Sequence, residues 1–176
     1  MLNAQQILDE GLLKLEHAQG KPAQVGYDLT IKQINSIGQT PNHNRNMFKD
    51  KIGKVLKDKT ELTTYTPYAL MNLDGVTGWL LYNGVYDITF NEGCKLPENR
   101  VAFIKQRSSL YRNGAIINSP VFDPGFETEF MGTLMYVHTL LFIEENARVA
   151  QIYFHECEPA ELYAGQWQGD KQRNQQ

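Results

Sequence analysis

At 176 residues, with 41% hydrophobic and 21% charged residues, the chain has the makeup of one globular domain with a buried core. A formal net charge of −3 excludes a global basic field for nucleic acid, so an anionic ligand must be held by a few local cations and backbone N–H groups. Cys94 and Cys157 form no CxxC pair, and neither a secretory leader nor an apolar run long enough to span a bilayer is found; a soluble, cytoplasmic chain with no membrane partner is expected.

Asn3-Ala4-Gln5-Gln6 places a capping residue three before a glutamine, and Gly11 follows Ile7 and Leu8, which predicts a short N-terminal helix. After it the pattern turns to short β-rich runs: Val25–Ile34, Glu61–Leu70, Gly78–Tyr82, Val85–Phe90, Arg100–Gln106, Ala115–Asn118, Phe130–His138 and Arg148–Phe154. Turn chemistry separates them at Asn83-Gly84, Asn91-Glu92-Gly93, Leu96-Pro97-Glu98-Asn99 and Asn113-Gly114. Many short strands with little helix predict an all-β sandwich or barrel without repeats or a domain linker. Residues 36–60, polar and lysine-rich, read as an excursion from the sheet; Ala164–Gln176 reads as a frayed terminus or a flap able to close on phosphate.

Chemistry concentrates in Arg107-Ser108-Ser109-Leu110-Tyr111-Arg112-Asn113-Gly114 and, nine residues after Gly114, in Asp123-Pro124-Gly125-Phe126. The pair resembles the RSSLxRxG and DPGF motifs of the dCTP deaminases and their trimeric dUTPase relatives. The likeness extends to the opening Leu2–Leu15, to Val25-Gly26-Tyr27-Asp28-Leu29, to Arg148-Val149-Ala150-Gln151 and to Gly165-Gln166-Trp167-Gln168-Gly169, in family order along nearly the whole chain. It implies a distorted jelly-roll β-barrel over residues 1–163, a homotrimer with active sites between subunits, and a tail, residues 164–176, that folds over the substrate.

The resemblance also implies roles. Asp28, otherwise a surface aspartate, would help organise Mg²⁺ on the triphosphate through water, as suits an ion that keeps much of its hydration shell. Arg107, Ser108 and Ser109 combine a guanidinium fork, hydroxyls and N–H groups suited to phosphate oxygens, though the residues alone equally describe a turn with a surface arginine. Arg112 either pairs with a carboxylate or faces substrate. Asp123 would orient and deprotonate the attacking water. Phe126 would lie against deoxyribose and exclude a 2′-hydroxyl, with plain core packing as its rival. Gln151 would offer its amide to phosphate, with a buried strand glutamine that satisfies backbone as the rival. Trp167 would cap the nucleotide, and Lys171 and Arg173 would reach the β- or γ-phosphate. The tail departs from both patterns: it lacks the Gly-Ser/Thr-Gly run of dUTPases, and Gln166 stands where deaminases tend to carry lysine.

One departure bears on the reaction. The deaminases carry a glutamate ten residues after the aspartate of DPGF, and here that position is Thr133, whose hydroxyl has no useful acid–base range near neutral pH. Glu127 and Glu129 precede it by roughly 13–20 Å of extended chain, too far for a rotamer change to repair, and read as surface or interface carboxylates. His155-Glu156-Cys157 does not match the HxE…PCxxC pattern of zinc deaminases. The expected activity is therefore hydrolysis of dUTP to dUMP and pyrophosphate, with dCTP as a possible second substrate. The rivals are a deaminase, a bifunctional enzyme, and a non-catalytic nucleotide-binding regulator. The resemblance implies that a hairpin, here Ala115–Phe122, reads the pyrimidine edge; the Asn118 amide within it can offer a donor or an acceptor.

Overall fold

The computed structural model describes residues 1–38, 64–158, 161–165 and 168–170. Helix α1, Ala4–Asp9, begins with the expected capping box: Asn3 Oδ1 accepts from the Gln6 N–H at 3.0 Å, and Gln6 Oε1 accepts from the Asn3 N–H at 2.9 Å. Each bond satisfies an N–H that a helix start otherwise leaves bare. The chain leaves the helix through Gly11 at φ +62°, with Ile7 fully buried beneath it.

Fourteen described strands follow: β1 Leu13–Lys14, β2 Lys21–Pro22, β3 Tyr27–Gly38, β4 Thr64–Pro67, β5 Met71–Leu73, β6 Val76–Leu81, β7 Gly84–Phe90, β8 Gly93–Lys95, β9 Arg100–Gln106, β10 Ala115–Asn118, β11 Glu127–Thr128, β12 Gly132–Val137, β13 Leu141–Glu144 and β14 Arg148–Glu156. A second helical turn, α2, spans Ser108–Arg112, and a 3₁₀ turn spans Gln168–Asp170. The largest sheet runs β10-β12-β7-β3-β14-β9, with β2 and β4 also paired to β3. Its alternation is clear in β12, where Thr133, Met135 and Val137 point inward between half-exposed neighbours. The interior is filled by such residues as Leu29, Ile31, Ile88, Phe90, Ile104, Ile152 and Phe154.

The two ends of this sheet meet. Ala102 and Phe122 exchange N–H···O bonds, each 3.0 Å, so the segment after β10 returns to β9 and nearly closes a barrel. The expected barrel with a short N-terminal helix is therefore the observed fold. The expected excursion begins later than residue 36, because Ser36–Gly38 continue β3 and pair with β4; residues 39–60 lie outside those described. Cys94 and Cys157 are both free. No helix among the described residues is long and apolar enough to cross a membrane.

Two smaller three-stranded sheets, β1-β8-β11 and β13-β6-β5, flank the barrel. On the first, Lys14 lies 2.7 Å from Glu127 and also bonds Glu129, which identifies the two glutamates as ion-paired surface groups. The Lys14 hydrogen bond holds the Glu127 carboxyl below its ordinary value of 4.5, against the opposing effect of partial burial. A depressed carboxylate contributes stability that is present above the unfolded value and is lost as pH falls through the folded one. Lys14→Met is therefore expected to be slightly less stable than the parent at pH 7, by under about 1 kcal/mol because the pair is partly solvated. Urea unfolding should show this gap closing below about pH 4; a gap independent of pH would rule the ion pair out as its source.

Candidate active site

Two separate clusters carry the candidate site residues: the barrel closure places the first, and the pairing of β3 with β14 places the second. Asp123 directly follows the closing residue Phe122. Its turn is tied at several points: the Phe126 N–H donates to Asp123 O at 3.1 Å, the Gly125 N–H to Leu96 O at 3.1 Å, and the Leu96 N–H to Phe126 O at 2.9 Å. Gly125 sits at φ +81°, the left-handed conformation that a Pro-Gly turn exploits. Held this way, Asp123 is solvent-exposed on an ordered backbone, while Phe126 is half-buried against the core and tilted on Phe122 at 5.6 Å between centroids.

The second centre is Asp28, whose side chain is only 7% exposed. Gly26 precedes it at φ +77°, and a Cβ there would lie 2.1 Å from the Ile152 carbonyl oxygen; the Gly-Tyr-Asp run thus needs glycine so that β3 can approach β14. Burial, reinforced by the negative charges of Glu92 and Asp28, pushes the neighbouring Tyr27 phenol up. Asp28 Oδ2 is shared by two guanidiniums, with Arg107 Nε at 3.4 Å and Arg148 Nη1 at 3.1 Å.

Arg107 is the residue before α2, so the Arg-Ser-Ser motif is the start of a helical turn rather than a plain loop. The Arg107 N–H donates to Val149 O at 2.8 Å, and its Nη1 to Arg148 O at 3.2 Å. Ser108 and Ser109 are exposed on the same turn, and Arg112 is exposed at its end. Gln151 stands opposite Asp28 in the β14–β3 register, but its side-chain amide donates to the Val25 carbonyl. In this structure the amide is thus engaged by backbone just before β3.

Asn118 is exposed, and its carbonyl accepts a 2.7 Å hydrogen bond from the Thr133 hydroxyl. Thr133 is 4% exposed on the inward face of β12. Glu127 and Glu129 are paired with Lys14. Buried Asp87 accepts from Asn35 Nδ2 at 3.0 Å, and it pairs with Leu134, the residue after Thr133, so it lies on the opposite face of the sheet.

Trp167, Lys171 and Arg173 lie outside the described residues; of the described residues beyond 160, Tyr163 and Gln168 contact the Asp123 turn. The Tyr163 N–H donates to Pro124 O at 2.8 Å, and its ring meets Phe126 edge-on at 5.2 Å. Gln168 donates from Nε2 to Gly125 O at 2.9 Å and accepts on Oε1 from the Glu127 N–H at 3.2 Å. A side-chain amide placed this way mimics a peptide group of a neighbouring strand. Sequence reading missed Arg148, Tyr163 and Gln168 as members of these clusters. For Arg148 and Gln168 the available signal was their place inside motif runs already singled out for Gln151 and Trp167.

A jelly-roll-like barrel with an Arg-Ser-Ser turn after β9 and an Asp-Pro-Gly-Phe turn after the closing bridge defines a class, and comparison with known proteins names it. The family model described as dCTP deaminase-like matches residues 2–157, and the chain belongs to that family. It is 31% identical over 163 residues to a probable deoxyuridine 5′-triphosphate nucleotidohydrolase of Methanosarcina mazei, covering 89% of this chain and 87% of that protein. It is 41% identical over 92 residues to the deoxyuridine 5′-triphosphate nucleotidohydrolase of Methanocaldococcus jannaschii, covering 51% of this chain and 57% of the relative. Among solved structures, 2′-deoxycytidine 5′-triphosphate deaminase from Agrobacterium tumefaciens shares the fold, with a TM-score of 0.60, 17% identity and 89% of this chain covered. The chain spans 48% of that deaminase's length.

Proposed function

We propose that the chain hydrolyses dUTP to dUMP and pyrophosphate, accepts dCTP in the same reaction, and does not deaminate. The observation that carries this reading is Thr133. At the position where the resemblance places the deaminase glutamate, its hydroxyl is buried and bonded to the Asn118 carbonyl. Moving protons between water, a ring nitrogen and departing ammonia requires a group that titrates near neutral pH, and threonine supplies none. Among the described residues, the nearby carboxyls Glu127, Glu129 and Asp87 are engaged elsewhere. Hydrolysis needs less, a single carboxylate open to the attacking water, and Asp123 is exposed. The names of the relatives support the same substrate.

In this reading Asp123 accepts a proton from water as the water attacks the α-phosphorus; the bond from that phosphorus to the bridging oxygen breaks, and pyrophosphate leaves. Arg107, Ser108, Ser109 and Arg112 hold phosphate oxygens, and Gln151 joins them if its amide turns from Val25. Phe126 packs on the deoxyribose, a contact that requires Tyr163 to yield or to share the ring. Asn118 reads the base edge, and Trp167, Lys171 and Arg173 close over the nucleotide, so that the residues after 163 act as a flap. The active assembly is a homotrimer, placed in the cytoplasm, where free Cys94 and Cys157 are in keeping with a reducing milieu.

The donor set fits Mg²⁺ in one form only. No group of three His, Cys, Asp or Glu side chains is poised for a metal among the described residues, and Asp28 is already engaged by two guanidiniums. This suits an ion carried on the triphosphate, with Asp28 reaching it through water rather than by direct ligation. Bound there, Mg²⁺ would offset negative charge on the phosphate oxygens.

The test is an incubation with Mg²⁺ and dUTP or dCTP, with products separated by anion exchange. The expected products are dUMP from dUTP and dCMP from dCTP, each with pyrophosphate. Any uracil nucleotide formed from dCTP would overturn the assignment drawn from Thr133.

A further inference from the structure

Arg148 reaches Asp28 only because β14 is bulged. Ile152, Gln151 and Ala150 pair with Tyr27, Asp28 and Leu29, and then the register slips so that Arg148 meets Thr30, with Val149 as the extra residue. Residues three apart on an unbroken strand point to opposite faces. Here Val149 and Ala150 are both buried, while Arg148 and Gln151 are both half-exposed. The bulge thus turns Arg148 onto the face that Asp28 and Gln151 share, the re-aiming for which bulges near active sites are known. The bulge also anchors the other arginine, since Arg107 donates to the carbonyls of Val149 and Arg148.

The resulting cluster is short of negative charge. One carboxylate oxygen faces two guanidiniums, whose side chains are 31% and 33% exposed and so keep N–H donors toward solvent. Along the same row, exposed Lys21 stands opposite Asp28 on β2, and exposed Lys105 stands opposite Gln151 on β9. A carboxylate that compensates one of two fixed guanidiniums leaves a preformed site for a polyanion beside the Ser108–Ser109 turn.

We propose that Arg148 is a phosphate-binding residue, holding the pyrophosphate end of the nucleotide together with Arg107, and that Asp28 is the positioning residue for both. The assignment rests on the triphosphate reading above. Titration calorimetry in Mg²⁺ buffer, with inorganic pyrophosphate and separately with dUMP, tests it on the full chain and on R148Q and R148K, each checked by its melting profile. R148Q is expected to bind pyrophosphate about tenfold more weakly or worse, as for loss of a charged hydrogen bond, with dUMP binding within about twofold of the parent. R148K, which keeps the charge and loses the fork, should fall between and keeps the question answerable where R148Q does not fold. Pyrophosphate binding within about twofold of the parent in a folded variant, or equal weakening of both ligands, would overturn the proposal. A parent chain that binds pyrophosphate through Arg148 yet forms no dUMP from dUTP would sink the diphosphatase reading and leave the phosphate site standing.

Discussion

Asp123→Asn is expected to lower kcat for dUTP by about 10²–10⁴-fold, the range associated with a positioned general base, while KM changes little. The amide keeps the shape of the carboxylate and its place after the Phe122 bridge, but it cannot accept the proton of the attacking water. Asp123 is exposed and its turn is held by backbone bonds of Asp123, Gly125, Phe126 and Leu96, so stability should move by no more than about 0.5 kcal/mol. The measurement is steady-state pyrophosphate release alongside thermal unfolding. If the variant turns over within about fivefold of the parent, Asp123 is not the base, since a positioned base contributes far more than that. A large loss of stability would show that the turn, and not the proton transfer, had been broken.

Glu92→Ala is expected to give the largest loss of stability, about 3–5 kcal/mol, or roughly 10 °C in Tm for a chain of this size. Glu92 is fully buried. Its carboxyl accepts from the N–H groups of Gln19 at 3.2 Å, Gly20 at 2.9 Å and Thr30 at 2.9 Å, and from the Thr30 hydroxyl at 2.8 Å. Truncation leaves those donors without an acceptor in a place water does not readily reach, and each orphaned group carries a penalty of about 1–3 kcal/mol. Glu92→Gln should lie between, at about 1–3 kcal/mol, because its amide offers one acceptor oxygen and turns an N–H toward a donor. Chemical denaturation decides the point: equal stability of Glu92→Gln and the parent would show that the bonds to Thr30 and Gly20 contribute little. The loss should reach the site as well. Thr30 is the register partner of Arg148, and the Gln19–Gly20 segment leads into β2, which pairs Lys21 with Asp28.

Sequence alone determined what depends on near neighbours. The capping box of α1, the alternation of β9, β10 and β12, and the turns at Leu96–Asn99 and Asn113-Gly114 are written in residues a few positions apart. The two motifs of the site and the substitution at Thr133 were legible for the same reason, since each is a spacing within one segment. Strands of two or three residues, such as β1, β8 and β11, were not legible, because so short a run carries no alternation and exists only through its partner.

Tertiary structure alone decided which charges meet. Asp28, Arg107 and Arg148 come from three strands or their ends, and their meeting depends on the β14 register; one residue of slip carries a side chain to the other face. The bulge at Val149 is such a slip, and no local pattern announces it. Gln168 bracketing Gly125 and Glu127, Gln151 turned to Val25, and Glu92 buried beneath Thr30 are likewise contacts between distant segments. Local chemistry named the groups; the closure of the barrel and the pairing of its strands determined which of them face one another.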